Sequence, residues 1–536
     1  MKPAHPERPA QPLLIIGWDG ATPELLEPWM EDGSLPNLAA LRSRGAFAAL
    51  RSVLPPLSPA AWTTAVTGLN PGRHGIWDFG HLAPGTYRVE ATDARHRQGA
   101  ALWEMCEAAG LKAAVLNVPM SHPSGPLPRG VFVPGMGATS LRGATSPPEL
   151  AERLLQEVPD YLIDCNAYEH ADPADFLEQL LQMTRARGQA AEFLLREEQP
   201  DVMFAVFTAT DRVQHAFWRQ SSLPWTDGSR LDWRFSSAIK DVYQLLDEIL
   251  GRLIEQAGDD ATVMVVSDHG FGELEGDLYL NGLLEEMGLL TVRRGVHWPA
   301  RLRSVLPGPL RRLIGVSPSP RPADFGDINW QETRAFSRGL LGNIWLNLRG
   351  RQPAGQVEPG PEAEEILEAI TERLLELVEP VGERQPLISA VFRGADLYWG
   401  PMAGQAPDLV VVPRDYRWMT RSGREIGPRG VITARPAVQH TGNHRMNGVL
   451  VTGGPGIREA VQPELLRILD LCPTALALLG IEVPRSLDGV PMEGLLSCDV
   501  AWTAERPARP GIPDTALDKE SPSLEDRLRQ IGYLGP

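Results

Sequence analysis

Three short apolar runs that each finish on a carboxylate constrain this chain more than any other feature. "LLIIGWD" ends on Asp19, "MFAVFTATD" on Asp211, and "VMVVSD" on Asp268, which His269 follows directly. None shows the apolar–polar alternation of a strand with one wet face. Continuous runs of this kind suit strands covered on both faces, the condition of a parallel sheet held between helix layers. Residues 112–119, 408–413 and 448–454 are runs of the same type. Between the runs lie segments of helical period, chiefly 176–199 and 237–257, the second reading "IKDVYQLLDEILGRLIEQ". This alternation predicts an α/β fold with a mostly parallel central sheet flanked by helices on both faces.

In open sheets of this class, ligands bind in the crevice outside the carboxyl ends of the strands. Asp19, Asp211 and Asp268 are therefore expected to share one crevice. Gathered carboxylates repel one another unless a cation neutralises them, so a metal cluster is the economical explanation. Asp211 and His215 stand at i and i+4, on one face of a helical turn after the strand. An oxygen and an imidazole nitrogen on one face suit zinc or a similar borderline ion. His444, in "QHTGNHRMNGVLVTGG", precedes another expected strand and is a further candidate ligand, with His440 close enough to compete.

Ser58 lies in "LPPLSPAAWTTAVTG", where Ser-Pro reads as a helix N-cap with proline at the first helical position. A hydroxyl there sits at the positive end of the helix dipole, among unpaired backbone N–H groups that could also hold a phosphate. Beside a divalent ion, the same hydroxyl becomes a candidate nucleophile.

Composition narrows the partners. The chain has 536 residues, 43% of them hydrophobic, and a formal net charge of −17. That charge argues against a nucleic-acid polymer as partner but leaves room for a small anion held through a metal. Cys106, Cys165, Cys472 and Cys498 are scattered and form no CxxC pair, which suits free, buried thiols in a reducing compartment. The start "MKPAHPERPAQP" has no apolar signal-type region, and no run approaches the length of a transmembrane helix, so a soluble, cytoplasmic protein is expected. One catalytic domain is expected over residues 12–500, interrupted at 291–327 by an Arg- and Pro-rich insertion. That insertion is read either as a solvated excursion or as a cap that helps to hold an anion. Residues 501–536 form a tail with one short amphipathic segment, "LEDRLRQIGYL".

Together, the order Asp19, then Ser58 ahead of "TGLNPGRHGI", then "DRVQH", then "SDHG", then the late His444 resembles the alkaline phosphatase superfamily. Within it, the chain is most similar to the bacterial cytoplasmic members of the type I phosphodiesterase/nucleotide pyrophosphatase branch, over Leu13 to about Leu496. The resemblance implies an alkaline-phosphatase-like fold with a small cap and two divalent ions, zinc or alternatively manganese. One ion would be held by Asp19, Asp268, His269 and the Ser58 oxygen, the other by Asp211, His215 and His444. Ser58 would attack phosphorus and form a covalent phosphoserine. The implied substrate is a small phosphoester, with a diester favoured over a monoester.

Two departures stand out. The better-known members carry a phosphate-binding Asn shortly after the "HGI" turn, where this chain has Asp78 and Phe79, and commonly a Thr nucleophile where it has Ser58. A sulfatase would need Pro and Arg at other offsets from the nucleophile. A phosphoglycerate-mutase-like phosphotransferase would need a large inserted domain between Ser58 and Asp211, for which that segment is too short. A non-catalytic binding protein would be expected to have lost at least one ligand, and none of these positions has.

Overall fold

The computed structural model describes residues 11–504 apart from 126, 139, 166–169, 171, 222–232, 294–326, 381, 422–430, 435–439, 462 and 464. Most of the Arg- and Pro-rich stretch and the amphipathic segment of the tail lie outside the described residues.

The central sheet has eight strands. In chain order they are β1 (Leu13–Trp18), β2 (Gly45–Arg51), β3 (Ala113–Leu116), β4 (Val131–Val133), β5 (Val202–Phe207), β6 (Thr262–Val266), β7 (Asn447–Gly453) and β8 (Leu466–Arg467). Across the sheet the order is β8-β2-β7-β6-β1-β5-β3-β4. Only β7 opposes its neighbours; all other pairings are parallel. The three carboxylate-ending runs are thus the adjacent strands β6, β1 and β5 in the middle of the sheet.

Four helices matter for the site: α1 (Ser58–Thr67), α2 (Pro173–Glu198), α3 (Ala209–Ser221) and α4 (Ala238–Ala257). Successive side chains of a strand point to opposite faces, and both faces of β1 are dry. Leu14, Ile16 and Trp18 pack into one core with α2, α3 and α4, while Leu13 and Ile15 pack into a second with α1. Gly17 is needed between them: a Cβ there would lie 2.6 Å from the Trp62 ring and 2.8 Å from Val206. Its absence lets α1 press Trp62 against the strand end.

The 408–413 run forms the strand Leu409–Pro413, but in a separate antiparallel sheet with Ala335–Ser337, Asn343–Leu346 and Ile388–Arg393. The expectation that it is covered on both faces holds. Leu409 and Val411 enter a third core with the helix Pro361–Leu375, and Val410 and Val412 pack with Leu54, Leu57, Trp77 and Leu341. An apolar run reports burial, not which strand it pairs with. A two-stranded ribbon, Gly270–Glu273 against Gly442–Arg445, sets His444 opposite Phe271. Among the described residues no helix is long and apolar enough to cross a membrane. The four cysteines are free thiols; Cys498 is exposed rather than buried.

Candidate metal centre

Each candidate residue reaches one crevice at the carboxyl edge of the sheet. Asp19 immediately follows β1, and Asp268 and His269 follow β6 after Ser267. The strand before Asp211 stops at Phe207, so Asp211 lies in the first turn of α3 and His215 one turn on. His444 arrives on the ribbon.

Ser58 is not the cap of α1. Leu57 is, extended at φ −119° and ψ 126°, and its carbonyl accepts the first helical bond from the Ala61 N–H at 3.0 Å. Ser58 is the first helical residue and Pro59 follows within the first turn, where a missing N–H does no harm. The Ser58 side chain makes no cap bond, and its Oγ lies 3.1 Å from His269 Nε2.

The histidines are oriented from behind. Nδ1 of His215 faces the Gly442 carbonyl at 3.0 Å, that of His444 the Pro56 carbonyl at 2.8 Å, and that of His269 the Gly270 carbonyl at 3.0 Å. Committing Nδ1 to a carbonyl leaves Nε2 as the atom each ring offers to the site. Nε2 of His215 and Nε2 of His444 are 3.2 Å apart, and each is 3.3 Å from Asp211 Oδ1. Around the other group, His269 Nε2 lies 3.4 Å from Asp268 Oδ2 and 3.7 Å from Asp19 Oδ1. Asp19 Oδ1, Asp211 Oδ1 and Asp268 Oδ2 are buried and have no hydrogen-bond partner, whereas Asp19 Oδ2 accepts from Trp62 Nε1 at 2.9 Å and Asp268 Oδ1 from the Gly20 N–H at 3.2 Å. Buried polar atoms are rarely left orphaned. Here one oxygen of each carboxylate is fixed and the other points, unsatisfied, at imidazole nitrogens. Two groups result, Asp211–His215–His444 and Asp19–Asp268–His269, each with its ligand atoms within 4.8 Å of one another. Both donor sets fit a divalent cation.

His440 takes another place. It stacks on His215 with ring centroids 4.5 Å apart and belongs to neither group; burial pushes its pKa down to about 2.

The electrostatics show what such a cation would relieve. Burial, with Asp211 close by, pushes the Asp268 carboxyl up to about 7. Burial and the nearby Asp268 and Asp211 raise Asp19 well above the usual carboxylate range. Burial alone would raise Asp211 too, yet His215 and His444 hold it well below that range. In the metal-free protein, folded Asp268 keeps its proton up to about pH 7, while in the unfolded chain it ionises near the ordinary aspartate value of 3.8. The folded state therefore binds more protons in that window, and stability falls as pH rises through it. Wild type is expected to lose stability relative to Asp268→Asn between about pH 4 and about pH 7, with added cations reversing the loss in wild type. Denaturant titrations of both chelated proteins across that range check this; parallel pH profiles would contradict it.

The groups open into a cleft of about 250 Å³. It is lined by the apolar side chains Leu57, Phe79, Leu340, Leu341 and Met419 and by the cationic Arg212 and Arg421. Phe79 is 37% exposed and offers no side-chain donor, while its own N–H is taken by Asp78 Oδ1 at 2.6 Å. Asp78 is a latch between layers: Oδ2 accepts from the Leu340 N–H at 3.0 Å, holding the loop that supplies Leu340 and Leu341. Asp78→Ala is expected to cost about 1–3 kcal/mol in denaturant unfolding, because the N–H groups it satisfies lose their partner; an unchanged midpoint would show that the latch carries no load.

Sequence reasoning missed Arg212 and Trp62 as members of the site. Arg212 sits inside the quoted "DRVQH" motif, but its partner Asp164 lies 48 residues away, and no local pattern joins the two.

A sequence model of the type I phosphodiesterase/nucleotide pyrophosphatase family matches residues 13–445. No curated protein matches the chain. Among solved structures, phosphonoacetate hydrolase from Sinorhizobium meliloti 1021 in complex with phosphonoacetate is similar, with 17% identity and a TM-score of 0.55, over 87% of this chain and 95% of that one. The same enzyme in complex with phosphonoformate gives 17% identity and a TM-score of 0.53 over the same shares. At that identity the likeness shows the fold, which agrees with the sheet order and the crevice described above. With most of its length inside the family match, the chain belongs to the type I phosphodiesterase/nucleotide pyrophosphatase family and is a phosphoric ester hydrolase of the alkaline phosphatase superfamily.

Proposed function

We propose that this chain hydrolyses a small phosphoester in two steps, through a covalent phosphoserine at Ser58. Asp19, Asp268, His269 and Ser58 would hold one divalent cation, and Asp211, His215 and His444 a second. The observation that carries this reading is the convergence of three orphaned carboxylate oxygens on imidazole Nε2 atoms. Divalent cations bound there supply charge that neutralises the carboxylates and lowers the pKa of a hydroxyl or water beside them. Zinc suits the mixed nitrogen and oxygen ligands, and manganese would also be accepted.

The chain's own residues do the rest. Ser58 Oγ, at the start of α1 and 3.1 Å from His269 Nε2, would attack phosphorus and give its proton to water. The new O–P bond forms as the bond to the leaving oxygen breaks, and that oxygen takes a proton from water. A second water then attacks the phosphoserine, restoring the hydroxyl and releasing a phosphomonoester from a diester or phosphate from a monoester. Leu57, Leu340, Leu341 and Met419 line the cleft and would offer an apolar seat for the leaving group. Family membership favours a diester over a monoester. Acid quenching of the metal-loaded protein during turnover of a nitrophenyl ester is the test: a phosphorylated Ser58 peptide is expected by mass spectrometry. Turnover without that adduct, at a rate unchanged in Ser58→Ala, would sink the reading.

A further inference from the structure

Arg212 and Arg421 are cationic side chains of the cleft that the metal motif leaves without a role, and Arg212 stands next to the ligand Asp211. Its guanidinium is held as a fork by Asp164, through Nη2 to Oδ2 at 2.8 Å and Nε to Oδ1 at 3.4 Å. Nη1 donates to Asp211 Oδ2 at 3.4 Å. A guanidinium carries five N–H groups, so this pairing leaves donors over. Its charge acts on Asp19 as well as on Asp211. The side chain remains 19% exposed and lines the same cleft as Ser58.

The fork is itself supported. The Ile163 carbonyl, next to Asp164, accepts from Asn117 Nδ2 at 3.1 Å and from Arg187 Nη2 at 2.6 Å. Arg187 is buried, and its Nη1 also donates to the Val206 carbonyl at 3.2 Å and to Thr208 Oγ1 at 3.1 Å. One buried guanidinium thus ties the segment bearing Asp164 to Val206 in β5 and to Thr208, three residues before Asp211. Arg212 is fixed relative to the metal ligands by a network that none of those ligands needs.

The other side chains of the cleft differ in what they offer. Phe79 has no donor, and the Asn443 side-chain amide donates to the Tyr416 carbonyl at 2.7 Å. Arg421 is tied through Nε to the fully buried Asp277 at 2.8 Å, and its Nη2 is buried without a partner among the described residues, but no contact joins it to a metal-ligand carboxylate as Nη1 joins Arg212 to Asp211.

We propose that Arg212 binds a non-bridging oxygen of the transferred phosphoryl group, with Asp164 as the residue that positions it. The inference deepens the phosphoester reading and rests on it. A fixed donor aimed at developing phosphoryl charge is worth roughly 10²–10³-fold in rate. A monoester dianion places more charge on its non-bridging oxygens than a diester, so it should depend on Arg212 more strongly.

The test compares wild type, Arg212→Ala, Arg212→Gln and Asp164→Asn, all zinc-loaded. For both arginine variants, kcat/KM for 4-nitrophenyl phosphate is expected to fall roughly 10²–10³-fold and that for bis(4-nitrophenyl) phosphate less. Inhibition by orthovanadate and calorimetric binding of inorganic phosphate should weaken in step, with metal content unchanged. Asp164→Asn should show the same pattern, smaller. Arg212→Gln keeps the helix and carries the test if the alanine variant fails to fold. Wild-type phosphate and vanadate binding in Arg212→Gln would overturn the proposal, as would equal losses for the two esters explained by lost zinc. The phosphate-binding arm needs no turnover. If Ser58 proves not to be the nucleophile, weakened phosphate binding in Arg212→Gln would still stand; if only Arg212 is misassigned, the Ser58 adduct would still form.

Discussion

Ser58→Ala is expected to reduce hydrolysis of both nitrophenyl monoester and diester substrates by at least roughly 10³-fold, with metal content and thermal unfolding unchanged. The size follows from the number of steps that pass through this one oxygen. Without Oγ there is no acceptor for the phosphoryl group, and direct attack by water would have to find its own alignment. Stability should not suffer, because Ser58 is not the N-cap of α1; that position is Leu57, and the Ser58 Oγ faces His269 instead. Ser58→Thr is the informative partner: it keeps the hydroxyl, adds one methyl to a buried position, and should retain measurable activity. Equal rates in wild type and Ser58→Ala would remove the covalent mechanism while leaving family membership untouched.

The second large effect concerns the ligands. His215→Ala should cost roughly one bound ion and Asp268→Ala the other, each with near-complete loss of turnover. Residues that merely orient a ligand are worth roughly 10–100-fold in metal affinity, so removing a ligand itself should exceed that. The two variants should differ in their side effects. His215 is half-buried at the cleft, with its Nδ1 on the Gly442 carbonyl, and its removal opens space that water can fill. Asp268 is fully buried and carries an unsatisfied oxygen. Replacing it with alanine removes a buried carboxylate whose charged form is disfavoured, so the chelated variant should be no less stable than chelated wild type at neutral pH. Metal analysis on gel-filtered protein, alongside denaturant unfolding, checks both statements. Unchanged stoichiometry in both variants would contradict the two ligand sets.

Much of this site is visible along the chain because a parallel sheet puts its functional groups at one place in each strand–helix unit. An apolar run marks the strand, and the residues after it mark the crevice. Asp19, Asp268 and His269 follow that rule closely, and Asp211 with His215 follows it with an offset of one helical turn. His444 is legible only as a histidine ahead of a strand. Its selection over His440 depends on the ribbon with Gly270–Glu273, whose register sets His444 beside the Asp211 group, while His440 stacks on His215. Arg212 was in plain view inside a quoted motif, yet its orientation depends on Asp164, Asn117 and Arg187, which are far apart in sequence and adjacent only in space.

Sequence by itself determined the α/β class, the central strands, the family, and the residue types that gather at the strand ends, because burial and local periodicity are written residue by residue. Tertiary structure alone decided what those residues face. It placed Leu409–Pro413 in a second sheet, made Leu57 rather than Ser58 the cap, turned Asp78 into a latch on Leu340, and brought Arg212 into the cleft. The physical reason is the same in each case: hydrogen-bond partners and packing neighbours drawn from distant segments choose among local conformations that differ by only a few kcal/mol, a choice no short window of sequence contains.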